Sequence, residues 1–167
     1  KERLKNPNSG RLTILDALDG HFILKPQNEA YAQMPEIEHL SMRLAELFKI
    51  HVVTSSLIRM ASGELCYITK RVDRNADGSK RHMIDFLQIL ELQDKYLGTM
   101  EMLGKEIGKL SSNTLLDKLR FFELTLFNYI IGNNDMHLKN YSMILSDDGW
   151  VLSPAYDLIN VKLILPN

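Results

Sequence analysis

The stretch 128–160, N-Y-I-I-G-N-N-D-M-H-L-K-N-Y-S-M-I-L-S-D-D-G-W-V-L-S-P-A-Y-D-L-I-N, constrains what this chain can fold into more than any other. Two short apolar runs, 141–145 and 150–152, flank Ser146-Asp147-Asp148-Gly149. Alternating runs around such turn residues predict a β-hairpin. The hairpin folds the chain back on itself. Asp157 therefore returns close to Asp135 and Asn140, so that two carboxylates and one amide oxygen converge on one spot.

That set of oxygens suits phosphoryl transfer from a nucleotide. One Asp orients, or takes the proton of, an attacking hydroxyl, while an Asn and a second Asp give hard oxygen ligands to Mg²⁺ on the phosphates. The D-x-x-x-x-N spacing from Asp135 to Asn140 matches the catalytic loop of protein kinases, in which a metal-binding Asp also follows a two-stranded hairpin. Asp135 becomes the candidate for the hydroxyl, with Asn140 and Asp157 the candidates for the metal. Any one of them alone would suit a turn or a cap equally well. The combination carries the reading.

The rest of the chain supplies a frame for this site. Residues 1–10 are polar and read as a loop, then 11–15 and 21–24 look like strands joined by the turn-rich connector 16–20. Lys25 ends the second strand. In a kinase reading its ammonium meets the nucleotide phosphates as a point charge. After a loop at 27–34, Pro35 opens a helix to about Lys49, with Ile37, Leu40, Leu44, Leu47 and Phe48 on its apolar face. A helix Glu in kinases pairs with the phosphate-contacting Lys. Glu38, at the edge of that face, is the preferred candidate over Glu36, although spacing does not decide between them.

Residues 52–60 and 65–71 flank Ala61-Ser62-Gly63-Glu64 and predict a second hairpin, joining the first two strands in one antiparallel sheet. Residues 69–73 would then be the hinge that binds the nucleotide. Thr69 and Arg71 belong to the segment whose backbone reads the adenine edge, and Asp73 is placed to take a ribose hydroxyl or to serve as a turn carboxylate. From His82 onward the period becomes helical. Met83, Phe86, Leu87 and Leu90 mark one helix, Met100, Leu103, Ile107 and Leu110 a second, and Leu115, Leu119, Phe122, Leu126, Tyr129 and Ile130 a third. The third, apolar on nearly every side, is expected to be a buried mast that delivers the 133–140 loop through Gly132.

Several other chemistries are excluded. Asp73, Asn75, Asp77 and Gly78 imitate the front of a calcium loop, but its twelfth position, which needs a bidentate Glu, is Ile84. The five histidines lack metal spacing, and the single Cys66 permits no internal disulfide and fits a reducing compartment, with the cytosol the default. With 20 basic against 21 acidic side chains, the net charge of −1 argues against direct nucleic-acid binding and against a polybasic membrane anchor. No apolar run reaches 18 residues, so no transmembrane helix is expected.

The run N-N-D-M-H-L-K-N followed by S-P-A-Y-D-L resembles the core motif of the HipA-like serine/threonine kinases, toxin halves of bacterial toxin–antitoxin pairs. F-I-L-K-P at 22–26, P-E-I-E-H-L-S-M-R-L-A at 35–45 and I-T-K-R-V-D-R at 68–74 resemble the same family in the same order. The resemblance implies a two-lobed, protein-kinase-like α+β fold, with a small nucleotide-binding lobe at 1–73 and a helical lobe at 74–167. It implies ATP and Mg²⁺, a translation-related protein as substrate, and a DNA-binding helix-turn-helix antitoxin as partner. His137 and Lys139 join Asp135 as candidate catalytic-loop residues, His137 either touching nucleotide or bracing the loop. The family's glycine-rich phosphate-covering segment and the helices after the second Asp have no counterpart here, so the chain reads as an incomplete kinase core. A non-catalytic nucleotide-binding module and a small-molecule kinase of the same fold are the alternatives.

Overall fold

The computed structural model describes residues 2–4, 12–14, 20–31 and 33–164. At its start, β1 (Glu2–Leu4) pairs antiparallel with β2 (Leu12–Ile14), Glu2 opposite Ile14. The sequence reading had a loop over β1, because three residues are too few for alternation to show. Of the 16–20 connector, only Gly20 lies within the described residues.

The next sheet has the order β3-β5-β4, formed by β3 (Phe22–Pro26), β4 (Ser55–Arg59) and β5 (Leu65–Lys70). All its pairings are antiparallel, and β2 pairs with β1 in a separate sheet rather than joining this one as expected. β5 is the central strand and carries the buried Cys66, Tyr67 and Thr69. Helix α1 (Met34–Leu47) packs on it, started by Pro35, whose missing N–H costs nothing in the first turn.

The buried face of α1 differs from the one its apolar spacing suggests. Pro35, Glu38, Ser41, Met42 and Ala45 face inward, while Leu40, Leu47 and Phe48 are exposed. Two polar residues lie on the buried side because each is satisfied there. Glu38 has an ionic partner, and the Ser41 hydroxyl donates to Ile37 O (2.9 Å) and accepts from Asn160 N (3.1 Å).

The second half begins with another difference. Residues 83–90 open as a strand, β6 (Met83–Asp85), and only α2 (Phe86–Ile89) is helical. Asp85 accepts from Gln88 N (2.9 Å) while the Gln88 side chain accepts from Asp85 N, a reciprocal cap that switches strand to helix. β6 joins the predicted hairpin, β7 (Ser142–Ser146) and β8 (Gly149–Leu152), in the order β6-β7-β8. Ser146 faces Gly149 across the tight turn, and Gly149 has φ 114°, open to glycine without steric cost.

Helix α3 (Met100–Leu110) packs against α4 (Thr114–Ile131). α4 ends at Gly132, whose φ of 71° closes the last turn and releases the chain into the site loop. Its inward face carries Asp117, Phe121, Leu124, Phe127 and Asn128. The stripe expected to be buried is the outer one, with Leu115 and Tyr129 each 85% exposed. Asp117 is buried because it accepts from Leu152 N and from the Ser111 hydroxyl, both at 2.7 Å, fastening α4 to β8.

One core runs through both halves, with Met42 and Tyr67 from the first and Phe86, Leu103, Met143 and Leu158 from the second. A parallel bridge from Val52 to Ala155 also joins them, since Val53 N donates to Ala155 O (3.0 Å) and Ala155 N to His51 O (2.8 Å). These bonds tie the segment after β8 to the segment that leads into β4. Among the described residues, no helix is long and apolar enough to cross a membrane.

Candidate active site

A cavity of about 520 Å³ lies between the halves, and every residue singled out from the sequence lines it except Asp135. Lys25 enters from β3, opposite Tyr67, with its ammonium 5.9 Å from the Tyr67 ring centroid. Its Nζ donates to Glu38 Oε1 at 2.8 Å and also to Asp157 Oδ1. The ion pair thus falls to Glu38 rather than Glu36. Glu38 is 1% exposed, and this burial pushes its carboxyl up to about 7, against the downward pull of the Lys25 ammonium. Burial acts downward on Lys25 as well, but the two carboxylates outweigh it and raise its pKa above 10.5.

Asp157 reaches the lysine from the loop after β8, in the left-handed region at φ 59°. A non-glycine residue there is costly by about 1–3 kcal/mol and persists only where the surroundings hold it. Those surroundings are named contacts. Ala155 is bridged to Val52, Asn160 N is bound by Ser41, and the Tyr156 hydroxyl donates to Lys139 O (3.0 Å) and shares a 2.5 Å hydrogen bond with the Ser142 hydroxyl. Burial pushes the Tyr156 phenol up to about 12, which keeps it a neutral donor.

The loop after α4 is braced from within. Asn133 donates through Nδ2 to Asn128 Oδ1 (3.0 Å), and Asn140 donates through Nδ2 to Asp135 O (3.1 Å). That bond uses the NH₂ end of Asn140 and leaves its oxygen to act as a ligand. Leu138–Asn140 form a single 3-10 turn anchored by the buried Leu138. Lys139 lines the cavity, with its ammonium paired to Asp85 Oδ2 at 3.0 Å. The Asp135 side chain is exposed and accepts from the Tyr96 hydroxyl at 3.1 Å. His137 meets the Tyr96 ring edge-on, with centroids 5.5 Å apart.

Across the cavity, Thr69 and Arg71 contribute less backbone than expected for reading a base. Lys70 N is used by Thr54 O and Arg71 N by His21 O, both at 2.8 Å, and the Asp73 carbonyl accepts from Arg81 N at 3.0 Å. The Asp73 carboxylate accepts from Arg71 Nε (2.8 Å), Arg71 Nη2 (2.6 Å) and Arg74 Nη1 (2.6 Å). The Arg71 hydrogen bonds, aided by Arg74, hold its carboxyl below the usual range against the effect of burial.

Among the described residues, no three His, Cys, Asp or Glu side chains gather into a metal cage. The oxygen of Asn140 and the half-exposed carboxylate of Asp157 instead fit Mg²⁺, which takes few protein ligands and completes its shell with phosphate oxygens and water. Tyr96 and Tyr156, which hydrogen-bond Asp135 and Lys139, are contacts of the candidate residues that sequence reasoning missed. They act across 39 and 17 positions, and no local spacing signals such contacts.

An antiparallel sheet whose strand lysine is held by a buried helix glutamate, set over an Asn before and an Asp after a hairpin, is a two-lobed kinase-like α+β fold. The structure of the Shewanella oneidensis MR-1 toxin–antitoxin system HipA, HipB and its operator DNA shares it, with a TM-score of 0.76 at 24% identity, over 91% of this chain and 40% of that one. The HipA-like C-terminal domain model matches residues 9–166, and the chain belongs to that family. A putative kinase, Y4dM of Sinorhizobium fredii, is 34% identical over 90% of this chain and 40% of its own length. The serine/threonine-protein kinase toxin HipA of Shewanella oneidensis is 27% identical over 81% of this chain and 36% of its own. The chain thus spans less than half the length of these relatives.

Proposed function

We propose that this chain is the nucleotide-binding and catalytic part of an ATP-dependent serine/threonine protein kinase of the HipA-like toxin type, with its small lobe at 1–73 and its helical lobe at 74–167. The observation that carries the reading is Lys25, held between the buried Glu38 and Asp157 in a cavity that Asn140 also lines. Lys25 binds the phosphates and Glu38 fixes its position. Asn140 and Asp157 would hold Mg²⁺, which would supply positive charge to the phosphate oxygens. Asp135 orients the substrate hydroxyl and takes its proton as the oxygen bonds to the γ-phosphorus and the bond to ADP breaks. Lys139, paired with Asp85, and His137, packed on Tyr96, keep the loop in shape.

The names of the relatives support a kinase, the solved complex of HipA, HipB and operator DNA supports an antitoxin partner in a DNA context, and the family resemblance supports a helix-turn-helix as that partner's DNA-binding element. The family resemblance supports a translation-related protein as target and cytoplasmic action. The near-neutral chain leaves DNA contact to the antitoxin. The test is to incubate the full-length protein with labelled ATP, Mg²⁺ and a cell lysate. Label on protein serine or threonine, lost in Asp157→Ala, is the expected result. Label confined to small metabolites would make it a small-molecule kinase, and nucleotide binding without transfer would make it a regulatory module.

A further inference from the structure

Residues 91–99 form a loop, of which Lys95 lines the cavity, and this loop touches the 133–140 loop at several points. Tyr96 Oη donates to Asp135 Oδ1 at 3.1 Å, and the Tyr96 ring stands edge-on to His137 at an interplanar angle of 81°. Leu138 N donates to Lys95 O at 3.1 Å. Gly98 lies so close that a Cβ there would stand 2.2 Å from Leu138 Cδ2 and 2.9 Å from Cγ. Leu138 is 2% exposed and has little room to give way, so only glycine permits this approach.

The loop also has its own internal order. Asp94 Oδ1 accepts from Tyr96 N (2.9 Å), a local turn that presents the tyrosine, and Lys95 Nζ lies 4.8 Å from the Tyr96 ring centroid. Tyr96 itself is 62% exposed. Packing therefore does not explain its hydroxyl, whereas the bond to Asp135 does.

We infer that Tyr96 is a positioning residue for Asp135, and that the 91–99 loop is built to hold it there. The inference rests on the reading of Asp135 as the group that orients the substrate hydroxyl. An exposed carboxylate otherwise turns freely about its last bonds. Tyr96 fixes one of its oxygens and leaves the other to the incoming hydroxyl, so the geometry exists before substrate binds. The same contact gives the phosphate-accepting side of the site a support independent of Lys25 and Asp157.

The experiment compares phosphate transfer by the full-length protein carrying Tyr96→Phe, Asp135→Asn, or both. Phe keeps the ring and its contacts with His137 and Lys95 and removes only the hydroxyl. The expected result is a kcat about tenfold lower with KM for ATP and thermal midpoint unchanged. The double variant should be no slower than Asp135→Asn alone, because Tyr96 acts through that carboxylate. Wild-type kcat in Tyr96→Phe beside a collapsed Asp135→Asn would overturn the inference and leave the site reading intact. A fall in thermal midpoint with losses that multiply in the double variant would show a structural role only and overturn it too. Full transfer by Asp135→Asn would remove the reading on which it rests.

Discussion

Lys25 is shared by two carboxylates whose tasks differ, and the difference sets what each substitution should do. In the proposed site Asp157 would serve as a metal ligand while Glu38 holds the lysine. Asp157→Ala should therefore abolish transfer and raise the Mg²⁺ concentration needed for nucleotide binding, and Asn140→Ala should act in the same direction but less strongly, both read by titrating Mg²⁺ against ATP affinity. Glu38 leaves a different signature, in stability. Its folded carboxyl titrates at about 7, against 4.5 unperturbed, so the folded chain retains a proton that the unfolded chain releases. The stability this contributes is complete below about pH 4.5 and is lost as pH rises through 7, on the order of 3 kcal/mol. Lys25, raised above 10.5, keeps its contribution across that window and loses it only in alkali. Glu38→Gln should flatten the decline between about pH 5 and 7, measured by denaturant unfolding; an unchanged slope would place its origin elsewhere.

α4 shows at the scale of an element what the amino-acid pattern could and could not reveal. Phe121 and Phe122 are neighbours in one apolar run, yet Phe121 is 7% exposed, edge-on to Tyr141, and Phe122 is 64% exposed. Phe121→Ala should cost about 3–5 kcal/mol in chemical unfolding of this chain. Phe122→Ala should stay within about 0.5 kcal/mol. Equal costs would mean the helix is rotated. A helix apolar around most of its girth announces its existence but not its orientation, and here Asp117 takes an inward position because Leu152 N, 35 positions away, donates to it, while Asn128 accepts from Asn133 of the following loop. α1 misled in the same way, its inward Glu38 depending on a strand lysine 13 residues away. β6 was hidden because Met83, Phe86 and Leu90 also suit a helix, and its pairing with β7 is non-local. The 142–152 hairpin was legible because its turn residues sit beside the strands they join. So was the Asp135–Asn140 spacing, a local property of one loop.

The halves of the molecule share a core and a bridge, and the cavity between them draws on both, which governs the response to nucleotide. Ala155 and Asn160, on either side of Asp157, are each hydrogen-bonded to the first half, at His51 and Ser41. Asn140 belongs to the second half, and Lys25 reaches Asp157 from the first. A ligand held by Lys25, Asn140 and Asp157 together binds only when both halves are folded and docked. Mg·ATP should therefore shift one cooperative unfolding transition of the full-length protein, by about 2.7 kcal/mol at a hundred times Kd. Lys25→Ala removes the phosphate contact but leaves Ala155, Asn160 and the shared core in place, so the variant should unfold in one step and show little of the shift. The measurement is the thermal midpoint of both proteins with and without Mg·ATP. An equal shift in both would place the nucleotide away from Lys25, and a transition that splits in two on ligand addition would mean that the ligand grips one half alone.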